Sequence, residues 1–169
     1  MRMLGIGLFL LAGVASVSAQ ERALTLLADK APALELTVPA GTKVTPVKDK
    51  TILQTTNMFL YVWPVPGAKT LDEAQAGLGE VIKSDVLKFA ASATNALTVG
   101  GAPARHLIGR GVEADDGDDA TADVVVFGVG SRFFIACVHG EGNDASRERD
   151  PMLKLLQTAR NPPAPSAGK

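Results

Sequence analysis

An internal disulfide is closed to this 169-residue chain, because Cys137 is its only cysteine. A domain of that make-up must draw its stability from its core, without covalent help. Charge of one sign is also missing: 17 Lys and Arg stand against 18 Asp and Glu, a net charge of −1. That balance excludes the basic footprint of a nucleic-acid partner and a polybasic membrane patch. Histidine is limited to His106 and His139, which leaves little for a metal centre. No Gly-x-Ser-x-Gly elbow is present. Gly128-Val129-Gly130 is a fragment of a dinucleotide fingerprint, but it links two strand-like runs instead of opening a helix, and that context removes it. Aromatics are few, whereas Val, Leu, Ile and Ala are plentiful, a composition that suits a sheet covered by helices.

What is present begins with the first twenty residues. Arg2 gives a positive start, Leu4 to Val14 form an apolar run, and Val17-Ser18-Ala19 places small residues at the cleavage positions. This is the layout of a secretory signal peptide over residues 1–19. The apolar run is shorter than the roughly 20 residues that a bilayer-spanning helix needs. Absence of a cysteine near residue 20 argues against a lipid anchor, and the lone Arg2 against the twin-arginine route. Cleavage leaves 150 residues with a net charge of −2, enough for one ordinary domain with a real core.

Residues 20–32 read as a lead-in segment with a helical turn or two over 23–29, closed by Pro32. Leu34-Glu35-Leu36-Thr37-Val38 alternates apolar and polar residues and predicts a strand, ended by Pro39-Ala40-Gly41. Residues 42–50 read as a crossing loop. Strands are predicted over 51–55 and 58–63, joined by Thr56-Asn57 and stopped by Pro64 and Pro66.

Thr70 and Glu73 form a capping box that opens the longest predicted helix. Leu71, Ala74, Leu78, Val81, Ile82 and Phe89 recur along it at helical spacing. Gly77 and Gly79 fit either close packing on the sheet or a kinked turn. Four short strands follow near 97–99, 104–110, 122–127 and 132–139, with turns at Gly100-Gly101, Asp115–Asp119 and Gly128–Gly130. The continuous apolar runs Val124–Phe127 and Phe133–Ala136 imply strands covered on both faces. Asp150-Pro151 predicts the start of a last helix through Ala159, and residues 161–169 read as a disordered tail.

This order of elements resembles the PsbP-like superfamily over residues 33–160. The similarity rests on Leu36–Gly41 as the opening strand-Pro-Gly signature and on the capped helix after Trp63. The Val99–Ala104 turn, the Arg132–Ile135 strand and the Leu-rich terminal helix complete it. The chain departs from the group in having Thr42 where a tryptophan often follows the opening Pro-Gly. The resemblance implies an α+β fold: an antiparallel β-sheet of about six to seven strands sandwiched by helices, a PsbP-like α/β/α arrangement. The group includes the photosystem II extrinsic subunit, a nuclear Ran-binding factor and many small exported bacterial proteins. Its members are binding or assembly factors without a shared active site.

Several residues carry chemistry that must be weighed. Glu113, Asp115, Asp116, Asp118 and Asp119 have the oxygen ligands calcium favours, but Gly117 interrupts them and Val126 stands where the final glutamate would fall. The cluster reads better as a solvated hairpin loop. Cys137 and His139 share a strand face, and a zinc or copper site would need His106 to join them. The simpler reading makes Cys137 a small buried hydrophobe and leaves both histidines near strand ends. Ser131 sits in a turn without an evident base. Phe59, Tyr61 and Trp63 alternate on one strand, either lining the core or placing Tyr61 and Trp63 at a rim where a partner could bind.

The sequence therefore predicts a soluble, exported, non-catalytic binding or assembly protein of the envelope, periplasmic or extracellular. It has no catalytic, cofactor or metal residues, an unidentified protein or small-ligand partner, and Tyr61 and Trp63 as candidate contacts. A small hydrolase or thiol-dependent enzyme using Cys137 or a histidine is the alternative. A structural envelope component held by an uncleaved leader is a third.

Overall fold

The computed structural model describes residues 21–28 and 30–163; the leader at 1–19 and the tail beyond residue 163 lie outside the described residues. A two-stranded ribbon comes first, β1 (Glu21–Ala28) and β2 (Ala31–Pro39). Next come β3 (Lys43–Val47), β4 (Lys50–Gln54), β5 (Phe59–Pro64), α1 (Leu71–Ala76) and α2 (Leu78–Ile82). The chain then forms β6 (Val86–Val99), β7 (Ala102–Glu113), β8 (Asp119–Val129), β9 (Arg132–Glu141) and α3 (Asp144–Leu156). Strands β3 to β9 make one antiparallel sheet of seven, in the order β3-β4-β5-β9-β8-β7-β6.

Two apolar layers sandwich this sheet. On one face Leu34, Leu36 and Val38 of the ribbon and Met152, Leu155 and Leu156 of α3 pack on Val125, Phe127, Ala136 and Val138. On the other, Ala74, Leu78 and Ile82 of α1 and α2 pack on Trp63, Val124, Val126, Ile135 and Cys137. Neighbouring residues of β8 and β9 thus enter opposite layers, which explains why their apolar runs do not alternate. The ribbon is tied to the end of the chain: Glu35 and Arg160 exchange both backbone hydrogen bonds, at 2.9 and 3.0 Å, and their side chains pair.

Four expectations about strands and helices are corrected. Residues 21–28 form a strand, not helical turns, because Leu24 and Leu26 face the core beside β2 and the backbone pairs continuously with it. The crossing loop contains β3, an edge strand that tolerates Pro46 because it pairs on one side only. The long helix stops at Ile82 and is broken at Gly77, whose N–H closes the first piece on the Glu73 carbonyl. The predicted stripe is real up to Ile82, but Phe89 reaches the same layer from β6.

The glycines of β7 let β6 run so close. A Cβ at Gly109 would meet the Ala90 carbonyl oxygen at 2.3 Å, and one at Gly111 would meet that of Leu87 at 2.6 Å. Finally, α3 starts at Asp144, six residues before the Asp150-Pro151 signal, and carries Pro151 within it. Proline inside a helix costs about 3 kcal/mol, and contacts of the earlier turn, described below, offset that cost.

The capping box forms in altered shape. Thr70 Oγ1 accepts the Glu73 N–H at 3.1 Å, while the Glu73 carboxylate accepts from the Lys69 N–H at 2.7 Å. Turns at Gly100-Gly101 and at the Asp115–Asp119 stretch occur as predicted, and the third turn sits at Gly130-Ser131, since Gly128 and Val129 belong to β8.

Candidate functional site

Cys137 pairs with Val124 of β8 and Tyr61 of β5, in the middle of the sheet, and is fully buried. Burial, reinforced by the Asp85 and Asp123 charges, pushes its thiol above the ordinary range, so the nucleophilic thiolate is suppressed. His106 lies opposite Val125, on the other face of the sheet from Cys137 and His139. The three candidate soft-metal ligands therefore do not converge.

His106 belongs instead to a buried polar network that the sequence did not reveal. Its Nε2 lies 2.6 Å from Asp123 Oδ1, and Arg149 of α3 donates to both oxygens of the same carboxylate, at 2.6 and 3.1 Å. Asp123 is 1% exposed and His106 5%. Burial pushes the Asp123 carboxyl up, but the hydrogen bonds from His106 and Arg149, with the guanidinium charge, outweigh it and hold the group below the ordinary carboxylate value. The fork on Asp123 anchors the first half of α3 to β8. This contact carries the helix across Pro151.

The aromatic strand divides. Trp63 is 1% exposed, in the layer beneath α1 and α2, and is not a rim residue. Tyr61 is half-buried and stacks on Trp63 at 5.9 Å between centroids and on His139 at 4.8 Å. Phe59 is 45% exposed at the start of the strand. The open end of the aromatic row is thus the Phe59 end, away from Pro64 and the first turn of α1.

There the two faces of the sheet meet around a cleft of about 510 Å³. Phe59, Tyr61 and His139 form its ring-bearing side, and five carboxylates enter it from four elements or turns. Asp85 comes from the turn before β6, Glu113 from the end of β7, Asp115 from the following loop, and Asp144 and Glu148 from α3. Glu148 also accepts the Phe59 N–H at 3.0 Å, which closes β5 against α3.

One cation of the chain lies against two residues of the cleft wall, Asp85 and Tyr61. The Lys50 ammonium pairs with Asp85 and lies 5.0 Å from the Tyr61 ring centre and 5.5 Å from that of Trp63. His139 Nδ1 lies 3.4 Å from Glu113 Oε1, and its Nε2 is buried without a partner, as is the Trp63 Nε1. Burial raises the Glu148 carboxyl, and Asp144 adds to this against the Phe59 N–H. Burial likewise raises the Tyr61 phenol, joined by the charges of Asp85, Glu113 and Glu148.

The acidic loop remains at the surface. Glu113, Asp115 and Asp116 bring ligand atoms within 4.8 Å of one another, as do Asp116, Asp118 and Glu141.

Comparison with known proteins begins from a lack of sequence similarity: no family model and no curated protein matches the chain. Solved structures do match. The cyanobacterial PsbP of Synechocystis sp. PCC 6803 superposes with a TM-score of 0.56 over 93% of this chain and 99% of its own, at 13% identity. The fold is PsbP-like. Two looser likenesses each cover 85% of this chain. One is LpqN of Mycobacterium tuberculosis, described as involved in cell envelope biogenesis (TM-score 0.48, 17% identity, 91% of that chain). The other is a Pseudomonas aeruginosa protein of unknown function (0.47, 12%, 99%). Among the described residues, no helix is long and apolar enough to cross a membrane.

Proposed function

We propose that this PsbP-like chain is an exported, non-catalytic binding or assembly protein of the cell envelope, and that its partner meets the cleft at the open end of β5. One observation carries the reading. A single cleft brings the exposed Phe59 ring, the half-buried Tyr61 and the wall residue His139 together with five carboxylates, while Cys137 and His106 are shut in the core. A binding site needs an accessible aromatic anchor with polar groups around it, and the cleft supplies both. Export rests on the signal-peptide layout of residues 1–19.

Crosslinking in the native host tests the reading, with a photoreactive phenylalanine analogue at position 59 and a second at an exposed site on β6 as control. The expected result is a discrete product from position 59 that Tyr61→Ala diminishes. Products that are the same from both sites would remove the cleft as a partner site. A native thiol reaction separates the enzymatic alternative: Cys137 should label only after denaturation, and rapid labelling of the folded protein would restore that alternative.

A further inference from the structure

We infer that the cleft takes a cationic side chain, a lysine or arginine carried on an extended basic segment of a partner protein. This rests on the binding reading above and names what the site recognises. The first argument is charge. Asp85 is matched by Lys50, and Asp144 meets Arg147 at 3.4 Å, but Asp115 and Glu148 have no basic partner among the described residues. The cleft is therefore negative in excess, although the chain as a whole is near neutrality.

The second argument is His139. Its side chain is nine-tenths buried in the cleft wall, and its Nδ1 faces a carboxylate, which can only accept. That leaves Nε2, in the neutral ring, as an acceptor with nothing to accept from. Carboxylates, an imidazole nitrogen and the faces of aromatic rings together ask for an N–H donor with positive charge.

Lys50 provides the third, because an ammonium over Tyr61 and beside Asp85 is a chemistry that the chain itself already uses here. A cation arriving beside Glu148 would also relieve the carboxyl that burial and Asp144 push up. The size favours a chain segment over a lone amine. About 510 Å³ lies within the roughly 300–1,000 Å³ of ligand pockets, and the exposed Phe59 ring at its rim offers apolar cover to a neighbouring residue.

The test titrates the full mature chain with a peptide amide of alternating lysine and phenylalanine. Its glutamate–phenylalanine counterpart, spermine and calcium chloride serve as comparisons. Trp63 is the only tryptophan and stacks on Tyr61, so its emission reports on the ring beside it in the cleft, and the His139 ring resonances report on the wall. The expected result is saturable binding of the basic peptide that added salt weakens. Glu113→Gln and Glu148→Gln should each weaken it roughly tenfold or more, with the melting temperature retained. Asp115→Asn, at an exposed position, gives the same test if either of those variants folds poorly.

Equal binding of the acidic peptide would overturn the inference. So would affinity unchanged in all three variants, or calcium or spermine saturating the cleft while the basic peptide leaves it unmoved. Photo-crosslinking from position 59 distinguishes the two levels. Capture of a partner through a segment without lysine or arginine overturns this inference and leaves the binding reading intact. Basic-peptide binding without any cleft-dependent capture in the host supports the cation site and removes the envelope-partner reading.

Discussion

At the scale of single residues, alternation along a strand assigns a face and not a depth. Phe59, Tyr61 and Trp63 share one face, yet they run from exposed, through half-buried, to fully enclosed. The difference arises because α1 and α2 cover the Trp63 end and leave the Phe59 end open. Trp63→Ala should destabilise the fold by about 3–5 kcal/mol, as expected for a large core ring. Trp63→Phe should cost much less, since the indole N–H makes no hydrogen bond. Urea unfolding of the two variants measures both.

Asp123 gives the residue-scale pH prediction. Its carboxyl is held below the ordinary value when folded, so the unfolded chain binds the proton more readily in the acid range. The stabilisation is complete above the ordinary carboxylate value and is lost as pH falls below it towards the lower folded value. Asp123→Ala removes the anion between His106 and Arg149 and should cost about 3–5 kcal/mol at neutral pH. Asp123→Asn should flatten the acid limb of the stability curve, which denaturant titration across that range would show.

Elements follow their local signals only where the neighbours agree. The helical stripe after Thr70 holds as far as Ile82, but β7 captures the chain from Val86 onward. Cross-strand pairing over eleven partner pairs outweighs an intrinsic helical preference worth less than about 1 kcal/mol per residue. That capture depends on missing side chains at Gly109 and Gly111. Gly109→Ala should destabilise by about 1–3 kcal/mol, because the Ala90 carbonyl it would meet is backbone and cannot rotate away. Thermal unfolding checks it, and Gly79→Ala, where a Cβ meets nothing, is the control that should leave stability unchanged or raised.

At the scale of the whole molecule, the ribbon β1–β2 and the segment that follows α3 close one layer of the sandwich through Glu35 and Arg160. The mature chain should begin at Gln20, so that the first strand starts one residue after the cleavage point and the ribbon is retained in full. Intact mass of exported material measures this. A product that lacks residues 21–28 would lose Leu26 from the core and should be markedly less stable.

The sequence by itself determined the α+β class, the doubly covered strands β8 and β9, the turns on either side of β7 and the capped start at Thr70. Each is written in short-range chemistry: apolar runs, glycine at positive φ, a threonine three residues before a glutamate. Only the tertiary structure decided which side of the sheet each candidate faces. Cys137 and His139 share a strand face in the sequence, but register alone sends His106 to the other one. The Asp123 fork joins residues 26 positions apart, and the cleft gathers carboxylates from β7, α3 and two connecting segments. None of these groupings leaves a local spacing to read, because side chains meet there through packing of whole elements, and the chemistry of the site comes from that packing.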